Sequence, residues 1–319
     1  MFHKMMAAFA VATAVAVSAP AFAAPLDIMV PAGPGGGYDG TARIVADGFQ
    51  KTGIFTEGAN ITNKPGGGGM VGLAEFVAQN QGNDNGMFSM GVIMVGSVVT
   101  TGSPVTLETL VPLARLTQEF GVVAVPADSP IKTPQEFVEA LKKDPAAFAI
   151  GGGSAGGIDQ ITLGLMAKAA GIPLDKLNYV SVGSGAEAAT MLGGGTLSGA
   201  ISGISEFKPL ADAGKIRLIA VSSDARVEGL DIPTLKESGI DVVTANWRGL
   251  MGAPGMSDDA KKGWVERFDK LVKTPEWAEL LKSKGLNDAY LGGDEFGAFV
   301  KSEQERIIPV LKDLGLIKS

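Results

Sequence analysis

The sequence contains no cysteine. That excludes disulfides, thiolate metal sites and cysteine nucleophiles, and it removes the residue by which an exported protein is lipid-anchored. Histidine is almost as scarce. The single one, His3, lies in an N-terminal segment with the three parts of a secretory leader. Lys4 gives the positive start, Met5 to Val17 the apolar stretch, and Ala21-Phe22-Ala23 the small residues around a cleavage point after Ala23 or Ala24. Removal of residues 1–24 leaves a chain with neither Cys nor His. Such a chain has no Ser-His-Asp or Cys-His nucleophile and no histidine metal cluster. No metal or cofactor is expected, and most hydrolytic routes are closed.

Long apolar runs are also missing: after the leader, no segment approaches the roughly 20 residues of a membrane helix. Basic runs are missing too. The mature chain carries 26 Lys and Arg against 34 Asp and Glu, a formal charge of −8. Nucleic acid and anionic membrane are therefore poor partners. An exported, acidic, untethered monomer is expected, with the periplasm as its compartment.

Glycine, by contrast, is abundant, at 45 of 319 residues. About 295 mature residues exceed one hydrophobic core, so two lobes are expected. Short apolar runs alternate with stretches of helical period, the pattern of an α/β chain built on parallel sheets. Strands are read at 26–30, 59–63, 87–95, 122–125, 147–150, 179–182, 199–204 and 217–222. Helices are read at 41–50, 71–79, 134–143, 160–170 and 186–192. After residue 256 the pattern turns to helices at 258–272, 275–283 and 294–314, returning with a strand at 250–253 to the first lobe. The expected division is 25–124 plus 247–319 against 125–246. The chain would cross between lobes near Val125-Pro126 and Asn246-Trp247, forming a hinge over a cleft.

The most informative stretch runs from Ile28 to Arg43. An apolar strand enters a turn with four glycines and two prolines in the seven residues Pro31–Gly37, and a helix follows. Bare amides of Gly35, Gly36 and Gly37 at a helix N-terminus favour an anion. Gly35, Gly37 and Gly40 spell G-x-G-x-x-G, but Asp39 would face a pyrophosphate, so the dinucleotide reading is weak. Asn63 to Met70 forms a second glycine junction without the Lys-Ser/Thr ending of a phosphate loop; its glycines serve close helix packing or ligand contact. Gly151 to Gly157 repeats the first design in the second lobe. Two such junctions facing one cleft suit a di- or tricarboxylate, four to six charge-assisted bonds reaching the ~8 kcal/mol of micromolar binding. Gly183 to Glu187 and Ser202 to Glu206 should share the rim, with Glu187 and Glu206 as helix caps; Ser97 offers a hydroxyl. Arg248 either grips a carboxylate or bridges the lobes. Trp264 and Trp277 read as core.

These motifs, V-P-x-x-P-G-G-x-x-D from Val30, N-K-P-G-G-G-G from Asn63 and G-x-S-x-G-G-x-D-Q from Gly152, make the chain resemble the substrate-binding proteins of tripartite tricarboxylate transporters, also called Bug receptors. The resemblance runs from Leu26 to the C-terminal helices. It implies a two-lobed, periplasmic-binding-protein-like (type II) fold that closes on a small carboxylated, citrate-like ligand. The loops that would pinch it are Pro31 to Asp39, including Pro34, Gly35, Gly36, Gly37, Tyr38 and Asp39, and Gly151 to Asp159, including Ser154, Ala155, Gly156 and Asp159. Ser205 and Arg248 bring the chain closer to the tricarboxylate-type members, whereas Asp159 stands where many members carry histidine. The implied partners are one small and one large integral membrane subunit. Two other classes stay open: an exported hydrolase using Asp39 and Asp159, and a sensor subunit for a membrane receptor.

Overall fold

The computed structural model describes residues 24–182 and 184–317. The expected leader thus lies outside the described residues except for Ala24, as do Gly183 and the last two residues. The first half comprises β1 (Leu26–Val30), α1 (Gly37–Thr52), β2 (Ala59–Asn63), α2 (Met70–Gln79), β3 (Gly86–Gly91) and α3 (Val92–Thr100). A long strand, β4 (Val111–Pro126), leads out of it. The second half holds α4 (Pro134–Lys143), β5 (Ile150–Gly152), α5 (Ile158–Ala169), β6 (Tyr179–Ser181), α6 (Gly185–Gly193), β7 (Gly199–Gly203), α7 (Ile204–Asp212) and β8 (Ile216–Val221). The chain returns through β9 (Ala245–Gly252), α8 (Asp258–Val272), α9 (Pro275–Ser283), β10 (Asn287–Gly292) and α10 (Gly293–Asp313).

The parallel sheets expected for an α/β chain are the triplets β2-β1-β3 and β6-β5-β7. Between them strands pair antiparallel, which the sequence pattern does not reveal: β4 pairs with β9 and with the unread β10 in the first half, and with β7 and β8 in the second. Partners change along β4 at Phe120–Gly121. The return passage is bonded to it, Ala245 opposite Phe120 and Asn246 opposite Glu119. Ser222 fastens the two passages. Its Oγ donates to the Thr244 carbonyl at 2.7 Å and accepts from the Gly121 amide at 3.1 Å.

Several boundaries follow from capping chemistry. Thr133 and Glu136 form the expected capping box ahead of α4, with Pro134 in the first turn. Gly53 and Gly171 take the left-handed conformation, φ 67° and 69°, that ends α1 and α5. Three readings are corrected. The run at 87–95 is not one strand: β3 ends at Gly91 and α3 begins at Val92, because a short, nearly continuous apolar run carries no period to separate strand from helix. The strand at 122–125 is the end of β4, whose bulges at Pro112/Ala114 and Arg115/Thr117 break the alternation upstream. The strand at 147–150 is shifted to 150–152. A Cβ on Gly151 would collide with Leu197, and one on Gly152 would come 3.0 Å from the Ile201 carbonyl, so close strand packing places glycines in the strand itself.

Trp264 and Trp277 are core, 3% and 1% exposed, with Trp264 at 5.1 Å from the Phe55 ring. On the other face of the first sheet, Ile307 and Leu311 of α10 share an apolar cluster with Ile161 of α5, tying the final helix to both halves. Among the described residues no helix is long and apolar enough to cross a membrane.

Candidate ligand-binding cleft

The first glycine loop is held from within. Gly35 is left-handed (φ 83°), and its amide donates to Asp39 Oδ2 at 2.9 Å. The buried Asp39 carboxylate also accepts from Asn63 Nδ2 at 3.0 Å and from Arg43 Nε and Nη2 at 2.7 and 3.0 Å. The Arg43 bond, with help from the Gly35 amide, holds its pKa down at about 2 despite burial. Asp39 thus shapes the loop, its carboxylate committed to Gly35, Asn63 and Arg43. With that loop fixed, no acceptor among the described residues approaches the amides of Gly36, Gly37 and Tyr38 at the start of α1. The Tyr38 ring turns inward, where its hydroxyl accepts from the Met94 amide at 3.2 Å, and burial pushes the phenol up to about 12.

Arg248 of β9 lies over that helix start; a methyl group on Gly37 would collide with its guanidinium. Its side chain is 11% exposed, yet none of its N–H groups has a hydrogen-bond acceptor among the described residues. The nearest carboxylate oxygen, Glu119 Oε2, is 3.6 Å away. A cation pressed against the positive end of a helix is a repulsive pairing that an anion between them would relieve.

The second loop matches the first in geometry. Gly156 is left-handed (φ 75°) and its amide donates to Gln160 Oε1 at 2.7 Å. The capping glycines, Gly36 and Gly157, have φ/ψ of −74°/172° and −75°/174°. Thr41 and Thr162 each return a hydroxyl proton to the carbonyl four residues back and meet a second threonine, Thr117 at 3.3 Å and Thr244 at 2.8 Å. In this register Asp159 is the counterpart of Tyr38, and Gln160 that of Asp39.

Asp159 Oδ2 accepts from the Gly153 amide at 2.8 Å and from Ser202 Oγ at 3.1 Å. Burial raises its pKa to about 6, with the neighbouring Glu206 and Glu119 adding to the rise. Glu206 accepts from the Gly185 amide at 3.1 Å and from the same Ser202 hydroxyl at 2.8 Å. Glu119 Oε1 accepts from Ser205 Oγ at 2.7 Å. Glu119, Asp159 and Glu206 all line a cavity of about 410 Å³, which also takes in the starts of α1, α3, α5, α6 and α7. A neighbouring cavity of about 810 Å³ is walled by Gly35, Gly36, Gly37, Ser205 and Arg248. The two share Gly37, Glu119, Glu206 and Asn246.

Of the residues singled out in the sequence, Gly35, Gly36, Gly37, Ser154, Asp159, Ser205 and Arg248 surround these joined cavities, and Asp39 reaches their edge. Pro34, Tyr38, Ala155 and Gly156 do not line either cavity. Ser97 faces the other glycine junction, where a Cβ on Gly68 would come 2.8 Å from its Oγ. Lys64 pairs with Glu75 at 3.0 Å on the surface. Ser202, from a loop expected at the rim, lines the smaller cavity, whereas Glu119 and Asn246 were not anticipated as cavity residues. The polar pair Gln118-Glu119, interrupting an apolar strand, is the one local signal of the first. No group of three or more His, Cys, Asp or Glu residues poised to hold a metal occurs among the described residues.

Residues 41–316 match the family model described as "Tripartite tricarboxylate transporter family receptor". A Cupriavidus necator protein, "UPF0065 protein in gbd 5'region", is 27% identical over 301 residues, covering 92% of this chain and 89% of its own. A TctC solute-binding protein from Polaromonas, solved without ligand, superposes with a TM-score of 0.80 at 25% identity over 92% of this chain and 99% of that one. R. palustris Rpa4515, solved with adipate, superposes with a TM-score of 0.74 at 19% identity over 92% and 98%. With the family model spanning most of its length, the chain belongs to the tripartite tricarboxylate transporter family of receptors.

Proposed function

We propose that this protein is a periplasmic receptor that captures a small organic acid between two lobes, 25–124 with 247–319 and 125–246, and delivers it to a membrane transporter of one small and one large subunit. It works as a monomer, by binding and closure without catalysis. The observation that carries the reading is the nearly buried Arg248 guanidinium, without a hydrogen-bond acceptor, above the free amides of Gly36, Gly37 and Tyr38. Those groups together form a site for one carboxylate, which a guanidinium grips at two points. Adipate in a protein of the same fold supports an organic acid as the guest. The citrate-like ligand of the sequence reading fits this pole with one carboxylate, but a second would meet Asp159, Glu206 and Glu119.

Calorimetry of the mature protein against a panel of mono-, di- and tricarboxylic acids and amino acids tests this. One-site binding at micromolar or tighter affinity, weakened about 10- to 100-fold by Arg248→Gln, is expected. Silence across the panel, or affinity indifferent to Arg248, would refute it.

A further inference from the structure

Resting on that reading, we infer that the ligand is zwitterionic, with its carboxylate held by Arg248 and the start of α1 and a cationic nitrogen held by Asp159 and Glu206. The argument is an account of donors and acceptors around the joined cavities. At the first-half pole donors are in surplus. Arg248 and the α1 amides have no acceptor among the described residues. At the second-half pole the surplus is of acceptors. Asp159 takes both of its bonds on Oδ2, leaving Oδ1 without a donor among the described residues. Ser202 has one hydroxyl proton, which Asp159 Oδ2 and Glu206 Oε2 must share. Among the described residues Glu119 Oε2 has only the distant Arg248 contact.

The helix starts at this second pole are, moreover, already supplied with negative charge by the protein itself. Asp159 sits in the first turn of α5 and Glu206 in that of α7, while Glu206 also takes the first amide of α6. A ligand carboxylate placed there would face three carboxylates with no lysine or arginine lining the smaller cavity. An ammonium instead brings three donors, or a substituted ammonium one or two, to oxygens that lack them. A chain of a few carbons joining the two charged ends suits a space of about 410 Å³ opening on the larger one.

The test is calorimetry at neutral pH on pairs of acids matched in carbon skeleton and differing by an amino group: propionate and alanine, succinate and aspartate, glutarate and glutamate. The amino member of at least one pair should bind tenfold tighter or better. The Asp159→Asn, Glu206→Gln double variant should erase that preference while still binding the nitrogen-free acids; Asp159→Asn alone, which keeps a carbonyl oxygen for Gly153 and Ser202, replaces it if the double variant does not fold. Nitrogen-free acids binding as tightly as their partners, or a preference that survives in the variants, would overturn the inference. If acids bind through Arg248 without regard to nitrogen, only this inference falls; if nothing binds, the receptor reading falls with it.

Discussion

Asp39 and Gln160 do the same work in opposite halves of the molecule: each reaches back four residues to hold the amide of a left-handed glycine, Gly35 at 2.9 Å and Gly156 at 2.7 Å. One strut is charged and tied to Arg43, the other neutral. The halves therefore present similar loops by different chemistry, and the residues actually offered to the cleft differ by one position from those that look alike in the sequence.

The charged strut should matter more for stability. Asp39→Ala leaves the Gly35 amide and the Arg43 guanidinium without the charged acceptor they share and is expected to cost about 1.5–3 kcal/mol, against about 0.5–1.5 kcal/mol for Gln160→Ala. Denaturant unfolding of both variants checks the order; equal losses would contradict it.

Gly37→Ala should separate folding from binding. The backbone at this position is not left-handed, so alanine fits the helix and removes unfolded-chain freedom, a gain of about 0.4–1 kcal/mol. The new methyl group displaces the Arg248 guanidinium, so affinity for the ligand should fall severalfold. Thermal melts together with calorimetry read both; undiminished affinity would remove Arg248 from the site.

Asp159 sets a pH dependence. Its pKa in the folded protein, about 6, stands above the ordinary carboxylate value, so the folded state takes up a proton that the unfolded chain does not. The sign follows: stability is full below about pH 4 from this group and declines as pH rises through 6, by at most about 3 kcal/mol. Burial makes the rise, the Gly153 amide and Ser202 oppose it, and the facing Glu206 and Glu119 add to it. The unliganded wild type should lose melting temperature relative to Asp159→Asn between pH 5 and pH 7; parallel profiles would refute the assignment.

Ser222→Ala tests the fastening between the two passages. It strands the Gly121 amide and the Thr244 carbonyl in a buried setting and should cost about 1–3 kcal/mol. A variant as stable as the wild type would mean that water replaces the hydroxyl.

What could be read from the sequence was local. The Pro31–Gly37 turn, the Thr133 capping box and the αL glycines after α1 and α5 rest on contacts within a few residues, and each lies where the pattern predicts. What could not be read depends on distance along the chain. The long β4 was hidden by bulges, and α3 by an apolar run without a helical period. Asp39 and Asp159 look equivalent because each follows a glycine run, yet only the backbone register, Gly35 with Gly156, shows that Asp159 pairs with Tyr38. The acidic wall joins Glu119 of β4 to Glu206 of α7 and Asp159 of α5, three segments with no shared local signal.

Phe120 and Ala245 lie opposite one another in a single antiparallel ladder. Neither connection can therefore lengthen, shorten or rotate without dragging its neighbour, since slippage would break every bond between them. Any swing between the halves would have to flex this ribbon and also loosen the packing of α10 on α5.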